Sequence, residues 1–287
     1  MRIQQLFSKR VGVIATMHQK EKVISPLIEQ ELDIKTIVPS NFNTDAFGTF
    51  TREVKRPGTQ IEAARLKAEK AIEITGKTLA IASEGSFAPH PFIPYIYSNR
   101  EIVILLDKKN NIEIIGEEVS TETNFNHRVV QNLDEAYNFA KNIGFPEHGL
   151  VVYWEDVDKN IREIIKGITT EAKLQEAINT ACNNSPDRQV HLETDMRALY
   201  NPTRMKNIAK ATLNLLTNIN SLCPKCSTPG FVVNERIAGL PCEICSLPTN
   251  LTLSVIYQCQ KCGFRQEKLF PNGVEFAEAA QCMYCNP

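Results

Sequence analysis

Residues 11–38 read VGVIATMHQKEKVISPLIEQELDIKTIV and decide the fold class of the amino-terminal part. The run Val11 to Thr16 is apolar and rich in β-branched residues, which predicts a buried strand. Met17 to Glu31 predicts a helix, because apolar residues recur there at helical spacing. Ile34 to Val38 predicts a second strand that ends before Pro39. This strand, helix, strand order is typical of an α/β layered domain.

The residues that follow continue the alternation of strands and helices. Thr59 to Thr75 predicts a helix that Gly76 ends, and Leu79 to Ala82 predicts a buried strand. The remaining predicted elements are a hairpin of Glu101 to Leu106 with Ile112 to Val119, a helix from Leu133 to Ile143 and a strand from Leu150 to Trp154. We therefore expect a mixed-sheet α/β domain over residues 1–156.

Residues 157–221 predict a helical connector. Lys159 to Cys182 carries apolar residues at helical spacing, interrupted near Gly167. A second helix is predicted to begin with Asn201 as its N-cap and Pro202 at its first position, and to continue to about Leu222.

Composition excludes several classes of protein. The 287 residues are 43% hydrophobic, enough for a full core. We expect a cytoplasmic protein without membrane segments, because no apolar run reaches the roughly 18 residues that span a bilayer and the start lacks a cleavage pattern. With 32 basic and 33 acidic residues the net charge is −1, so no global field attracts polyanions.

The cysteines are concentrated at the carboxyl end. Eight of the nine lie in C-x-x-C pairs: Cys223/Cys226, Cys242/Cys245, Cys259/Cys262 and Cys282/Cys285. In a reducing compartment this pattern favours metal binding over disulfides, and two such pairs complete a tetrahedral Zn²⁺ site. We expect two structural zinc ions in a double zinc-ribbon-like module over residues 222–287 and assign Cys182 to a core.

The spacing leaves the pairing open. A sequential arrangement is favoured, because 15 residues separate Cys226 from Cys242 and 19 separate Cys262 from Cys282, which suits a zinc ribbon. A crossed arrangement, joining the first pair to the third and the second to the fourth, also gives two four-thiolate sites.

The charge of this module argues against nucleic acid as a partner. From Ser221 to Pro287 there are five basic and five acidic residues. Two Zn²⁺ ions with eight thiolates add −4, and such a surface repels phosphates. A structural role, or docking to a protein partner or a second copy of the chain, is the preferred interpretation.

Polar residues follow the predicted strands of the amino-terminal domain. Thr16 and Lys20 follow the first strand and suit a phosphate chain, and Glu84 follows the strand from Leu79 and suits Mg²⁺. Each also has a simpler interpretation, as an N-cap, a solvated helix residue and a turn residue. Arg197 and Arg204 also have two interpretations: they could contact a nucleotide phosphate or pair with Glu193 and Asp195.

Three motifs together resemble the inosine triphosphate pyrophosphatase superfamily, whose members hydrolyse non-standard purine nucleoside triphosphates to monophosphate and pyrophosphate. The turn ATMHQK (15–20) is similar to the family's phosphate-binding turn, with His18 in place of asparagine. The helix start GTQIEAARLKA (58–68) keeps the acidic residue and the lysine, and ASEGS (82–86) is similar to the family's A-D-D-S-G loop. Ser83 stands there in place of the first aspartate, which leaves Glu84 alone.

This resemblance implies a Mg²⁺-dependent nucleotide pyrophosphohydrolase. Glu62 and Glu84 would hold the metal, with Lys20 as a third catalytic residue and Asp45 or Glu53 as further acidic candidates. The implied substrate-binding residues are Thr16, His18, Lys67, Arg52, Arg56, Ser83, Ser86, His127 and Arg128, with Lys55 as another candidate. The alternative is a nucleotide sensor or adaptor that has lost catalysis and docks through its zinc module; Ser83 favours that alternative.

A second resemblance spans the full chain. The segments TDAFGTFTREVKR (44–56), ASEGSFAPHP (82–91) and TDMRALYNPTRM (194–205), together with the terminal cysteine pairs, resemble a bacterial family known only as a domain of unknown function. This resemblance implies no mechanism, but it implies that the three parts of the chain occur as one unit.

Overall fold

The computed structural model describes residues 6–40, 42–48, 54, 56–90, 93–156, 161–186 and 189–286. Within these residues the chain forms three β-sheets with helices packed on two of them. None of its described helices combines the length and the apolar character needed to cross a membrane.

The first sheet has five strands in the order β2-β1-β3-β4-β5. Its strands are β1 (Val11–Ala15), β2 (Lys35–Ile37), β3 (Leu79–Pro89), β4 (Tyr97–Asp107) and β5 (Ile112–Ser120). β1 lies parallel to both β2 and β3, and β3, β4 and β5 are antiparallel neighbours. β3 extends well past the predicted Ala82, because its polar second half pairs with β4 as far as Pro89.

Three helices cover this sheet. They are α1 (Glu21–Leu32), α2 (Gln60–Thr75) and α5 (Pro202–Asn220). Alanines of α2 pack on one face of the sheet, and α1 and α5 fill the other face with Ile and Leu side chains. α5 lies so close to β5 that a Cβ at Gly116 would overlap the backbone of Leu215. The predicted helix ends are confirmed at Gly76, with a φ of 63°, and at Asn201, whose side chain caps α5.

The second sheet corrects the prediction of a wholly helical connector. Its strands, in the order β6-β9-β7-β8, are β6 (His127–Val130), β7 (Leu150–Asp156), β8 (Ile161–Ile168) and β9 (Val190–Thr194). The predicted helix from Lys159 is wrong over β8, because its β-branched isoleucines pair with β7 in a hairpin. Gly167, with a φ of 70°, is the extra residue of a bulge between Lys166 and Ile168 and breaks the alternation of apolar residues.

Two helices, α3 (Leu133–Asn142) and α4 (Glu171–Asn184), share an apolar core with this second sheet. Lone Cys182 packs against that core, as expected. The limits of the three predicted domains stay a prediction. α5, predicted as part of the connector, packs on the first sheet instead.

The third sheet belongs to the cysteine-rich end. Its antiparallel strands are β10 (Val232–Ala238), β11 (Thr252–Gln258) and β12 (Arg265–Leu269). One end of this sheet lies against the first sheet: Gly230 contacts Ile114, and the Gln260 side chain donates to the carbonyl of Glu113 at 2.6 Å. Short 3-10 helices complete the described chain at Thr44–Phe47, Ala198–Tyr200 and Ala279–Gln281.

Candidate functional site

The eight paired cysteines form two clusters in the crossed arrangement. One, called the proximal cluster because it adjoins the Gln260 contact with the first sheet, contains Cys223, Cys226, Cys259 and Cys262. The other, called the distal cluster, contains Cys242, Cys245, Cys282 and Cys285. The sequential pairing favoured by spacing is therefore wrong, and the crossed alternative is correct.

The strand directions explain this pairing. β10 runs from the first cysteine pair to the second, β11 runs back to the third pair, and β12 runs forward again towards the fourth. Antiparallel strands thus bring pairs one and three to one end of the sheet and pairs two and four to the other. A seven-residue strand separates the clusters by about 20 Å.

The sulfur positions fit zinc. A tetrahedral Zn²⁺ with bonds of about 2.3 Å holds its sulfurs about 3.8 Å apart. The Sγ atoms lie 3.7 Å apart for Cys223 and Cys262 and 3.6 Å apart for Cys226 and Cys259. Across the distal cluster the distances are 3.9 Å and 3.6 Å. Both clusters could therefore hold a zinc ion, and these separations are far too long for disulfide bonds.

All four C-x-x-C turns share one backbone geometry, which orients their thiols. The N–H of the residue four positions after the first cysteine donates to that cysteine's carbonyl, at distances of 2.8 to 3.0 Å. Ser227, Ser246 and Gly263 adopt positive φ angles of 56° to 68° at this position. Glycine adopts this conformation at the lowest cost because it has no Cβ, so Gly263 suits its turn best.

A second candidate site lies at the carboxyl end of β1. The last residue pair between β1 and β3 is Ala15 with Ala82, and β3 continues beyond it with Ser83 and Glu84. Lys20, at the start of α1, is buried and donates to the Ser83 hydroxyl at 3.0 Å and to the Ser83 carbonyl at 3.2 Å. The predicted phosphate-binding turn and the predicted acidic loop are thus in direct contact.

Glu84 is the centre of this site. Its buried carboxylate forms an ion pair with Lys67 of α2, and Arg56 lies 3.7 Å from its other oxygen. Arg56 also donates to the carbonyl of Gly85 at 2.7 Å. Gln60 supports the same strand, donating to the carbonyl of Glu84 at 2.7 Å and accepting from the hydroxyl of Ser86 at 3.1 Å.

A buried ion pair between Glu101 and Arg204 lies on the neighbouring strand. Arg204 donates from Nε to Glu101 Oε1 at 2.7 Å, and both side chains are almost completely buried. A Cβ at Gly85 would lie about 2.5 Å from both side chains. Glu193 and Asp195 are the partners that the sequence suggests for Arg204, but the ion pair that Arg204 forms is with Glu101. Asp195 pairs with Arg197 instead.

Burial and neighbouring charges shift the pKa values of Lys20 and Glu84. These two residues belong to a cluster that also contains Arg56, Lys67, Arg204 and Glu101. Burial, followed by the charges of Arg204 and Lys67, lowers the pKa of Lys20 to about 7. Burial alone would raise the pKa of Glu84, but the charges of Lys67 and Lys20 outweigh it and hold that pKa below its ordinary value. The four cations exceed the two carboxylates by two charges, so the cluster suits an anion.

The remaining predicted site residues lie elsewhere or have other partners. Glu62 completes a capping box: its carboxylate accepts from the N–H of Thr59 at 2.7 Å on the exposed side of α2. His127 and Arg128 lie on β6, in the second sheet. The backbone N–H of His18 donates to the Thr16 hydroxyl at 3.2 Å. Arg52, Glu53, Lys55 and the side chain of Asp45 lie outside the described residues.

These positions do not fit the predicted magnesium site. Mg²⁺ requires carboxylate oxygens that are open to it, usually one or two beside substrate phosphates. Glu84 is held by Lys67 and Arg56, and the Glu62 carboxylate is held by Thr59. Within the described part of the chain, the two cysteine clusters are the only groups of three or more His, Cys, Asp or Glu side chains placed to share one ion.

The fold and its sites define a class: a mixed α/β protein that ends in two four-cysteine clusters able to bind zinc. The model of a domain of unknown function, DUF6671, matches residues 67–287, and the chain belongs to that family. Lys67, Glu84, Arg204 and all eight paired cysteines lie within the matched residues, whereas Thr16 and Lys20 precede them. A search of the curated proteins found no match. The resemblance to inosine triphosphate pyrophosphatases stays a prediction.

Proposed function

We propose that this chain binds the phosphate groups of a purine nucleoside triphosphate, standard or deaminated, at the carboxyl end of β1. The observation that carries the proposal is the convergence of Lys20, Lys67 and Arg56 on the three residues Ser83, Glu84 and Gly85. Ligands of α/β sheets bind outside the carboxyl ends of the strands, which is where these cations lie.

Electrostatics supports an anionic ligand. Among the described residues, the buried ammonium group of Lys20 has only the hydroxyl and the carbonyl of Ser83 as acceptors, which compensate poorly for its lost hydration. The charges of Arg204 and Lys67 make its position still less favourable, as the lowered pKa of Lys20 indicates. The two carboxylates leave two of the four positive charges unbalanced, and a phosphate group would supply the missing negative charge.

An open depression beside the cluster offers room for the nucleoside. It has a volume of about 380 Å³ at the carboxyl ends of β1 and β2. Its lining is mostly apolar and consists of Thr16, Met17, Val38, Pro39, Phe42 and Asn43. Thr16 belongs to this lining and precedes Lys20 by four residues, so the turn between β1 and α1 carries both a surface that suits a base or a sugar and a cation that suits a phosphate.

The geometry favours a sensor over a hydrolase. Glu84 is already paired with Lys67, and Glu62 is engaged in capping α2, so neither carboxylate is placed to hold a metal ion or to activate water. Hydrolysis to monophosphate and pyrophosphate is the second candidate. It is supported by the ionised state of Glu84, because a phosphate that drew Lys67 away would release a carboxylate base.

Calorimetric titration of the zinc-loaded chain tests the binding proposal, with ATP, GTP, ITP, XTP and pyrophosphate, each with and without Mg²⁺. We expect at least one of these ligands to bind, and Lys67→Met to weaken binding at least tenfold because Lys67 is buried beside Glu84. Lys70→Met is the matched control, since Lys70 lies on the same helix but is exposed and paired with Glu73. Failure of every ligand to bind would overturn the proposal.

Pyrophosphate release, measured on the same panel, separates the two candidates. Binding without release supports the sensor. Release that requires Mg²⁺ and is lost in Glu84→Gln would establish the hydrolase and show that ligand binding rearranges Glu84 and Lys67.

A further inference from the structure

The distal cysteine cluster is surrounded by exposed apolar side chains. Ile244 lies between Cys242 and Cys245 and is 71% exposed. Met283 and Tyr284 lie between Cys282 and Cys285 and are 58% and 60% exposed. Because the four sulfurs lie within 4.8 Å of one another, the two turns that carry these side chains are adjacent. These exposed apolar side chains therefore lie close together around the distal cluster.

Neighbouring residues enlarge this area. The backbone of Ala277 pairs with that of Cys242 and donates to the carbonyl of Pro241 at 2.8 Å. This pairing places Phe276, which is 56% exposed, beside the cluster. Val274 and Leu247 are exposed on the same two segments. We call the set of Ile244, Leu247, Val274, Phe276, Met283 and Tyr284 the distal surface.

The proximal cluster shows that zinc coordination does not require such a surface. Its two turns have the same backbone geometry as those of the distal cluster and also supply four thiols. The residues between its cysteines are Pro224 and Lys225 in one turn and Gln260 and Lys261 in the other. The side chain of Gln260 forms hydrogen bonds with the backbone of Glu113 in the first sheet. The apolar side chains of the distal surface are thus not required to form a cluster of this kind, and a large part of each is exposed to solvent.

Charged residues are also distributed unevenly between the two ends of the cysteine-rich module. The distal segments, residues 239–250 and 270–287, contain Glu243, Glu275 and Glu278 and no lysine or arginine. A Zn²⁺ ion held by four thiolates adds −2, which brings the local charge to −5. The other seven charged residues from Ser221 onward, five basic and two acidic, lie outside these segments, so the distal end of the module is uniformly acidic.

We propose that the distal surface docks a basic amphipathic segment of a different protein, one that places apolar side chains over Ile244, Met283 and Tyr284 and lysine or arginine beside the glutamates. Exposed aromatic and Met side chains within a polar rim are typical of protein-binding sites. The negative charge selects the sign of the partner. A second copy of this chain is disfavoured, because two surfaces of charge −5 would repel each other, and nucleic acid is disfavoured for the same reason.

Fluorescence anisotropy with labelled 18-residue peptides tests this proposal on the full zinc-loaded chain. The probes are an amphipathic helix of Leu and Lys, the same helix with Glu in place of Lys, and a Leu/Lys peptide of identical composition without amphipathic order. We expect the amphipathic Leu/Lys peptide to bind at least tenfold more tightly than either of the others. Weak or equal binding of all three peptides would overturn the proposal.

Two variants locate the binding surface. The triple variant Ile244→Ser, Met283→Ser, Tyr284→Ser should lose at least tenfold in affinity while retaining two zinc ions, which shows that the clusters still form. The matched control replaces three exposed apolar residues that lie elsewhere, Leu66, Ile74 and Tyr95, with Ser and should change the affinity less than twofold. Undiminished binding by the first variant, or equal losses in both, would contradict the assignment.

Replacing the three glutamates with Gln (Glu243→Gln, Glu275→Gln, Glu278→Gln) should weaken binding about threefold or more and flatten its salt dependence. Sedimentation of the wild-type chain without peptide tests whether a second copy of the chain binds the distal surface. A dimer that the triple serine variant abolishes would identify a second copy as the natural partner and overturn the proposal.

Discussion

Two regions of this molecule each collect charges of predominantly one sign. The cysteine clusters bring four thiols within 4.8 Å of one another, and thiols so placed are stable as thiolates only around a cation. The cluster around Glu84 gathers four cations against two carboxylates in a buried site. In both regions the fold predicts a counterion of opposite sign, a metal in the first and a phosphate in the second.

The two regions differ in how far apart their residues lie in the sequence. Each zinc knuckle is complete within five residues, so its chemistry is visible in the sequence. Lys20 and Ser83 lie 63 positions apart, and Glu101 and Arg204 lie 103 apart, so only the sheet brings them together. Local motifs can suggest single members of such a cluster, such as Lys20 and Glu84, but not which side chains meet in the fold.

Removal of zinc should have the largest effect. Elemental analysis should find two zinc atoms per chain, because both clusters have tetrahedral sulfur spacing. A strong chelator should unfold β10 to β12, since structural zinc contributes about 10 to 16 kcal/mol of apparent folding free energy in zinc-finger peptides. Limited proteolysis should then cut within residues 222–286, and zinc, but not magnesium, should restore resistance. A zinc content near zero in freshly purified protein would contradict this interpretation of both clusters.

The two zinc clusters should respond differently to the loss of one ligand. Cys259→Ser and Cys282→Ser should each lower the zinc content to about one per chain. Only Cys259→Ser should also reduce hydrogen-exchange protection in β5, because it disturbs the turn that carries Gln260 against Glu113. Equal loss of protection in both variants would show that the module is a single cooperative unit.

Arg204→Met should cost about 3 to 5 kcal/mol in the free energy of unfolding, measured in urea, because it leaves Glu101 charged and buried without its partner. Arg65→Met is the matched control. Arg65 forms a comparable pair with Glu113, but both side chains are partly exposed, so its loss should cost about 1 kcal/mol or less. Similar losses of unfolding free energy in the two variants would mean that the burial of Glu101 does not determine how much its ion pair with Arg204 contributes to stability.

The sequence predicted the strands and helices whose apolar pattern is uninterrupted. β1, α2 and the β4–β5 hairpin were placed correctly because their periodicity and end signals agree. β8 was missed because its isoleucines at 161, 164, 165 and 168 also satisfy helical spacing. The long second half of β3 was missed because SEGSF is polar, and only its pairing with β4 makes it a strand.

The candidate sites were predictable to different degrees. All eight cysteines of the two clusters were identified as candidate zinc ligands, but their pairing depends on three strand directions that spacing does not encode. Lys20, Lys67 and Glu84 were selected through a family resemblance, and the structure brings them together. Glu101 was missed although a signal existed: it is a charged residue at the start of the apolar run EIVILL, where burial would require a partner such as Arg204.

Burial of Lys20 should make the stability of the chain depend on pH. The folded-state pKa of about 7 lies below the ordinary value of 10.5, so between these values the unfolded chain binds more protons and stability rises with pH. Below pH 7 the cost of burying the charged ammonium is fully present. Lys20→Met should remove this dependence and raise the melting temperature at pH 6, with little difference from wild type near pH 10.

Sulfate connects this behaviour to the proposed anion site, because sulfate is a tetrahedral dianion that does not titrate in this range. It should stabilise the wild-type chain more at pH 6 than at pH 9, since it binds the protonated form of Lys20 more tightly. The same addition should have little effect on Lys20→Met, whereas Lys70→Met should behave as wild type. Identical pH profiles for wild type and Lys20→Met would show that Lys20 keeps its proton throughout, and that the cluster is already balanced without an anion.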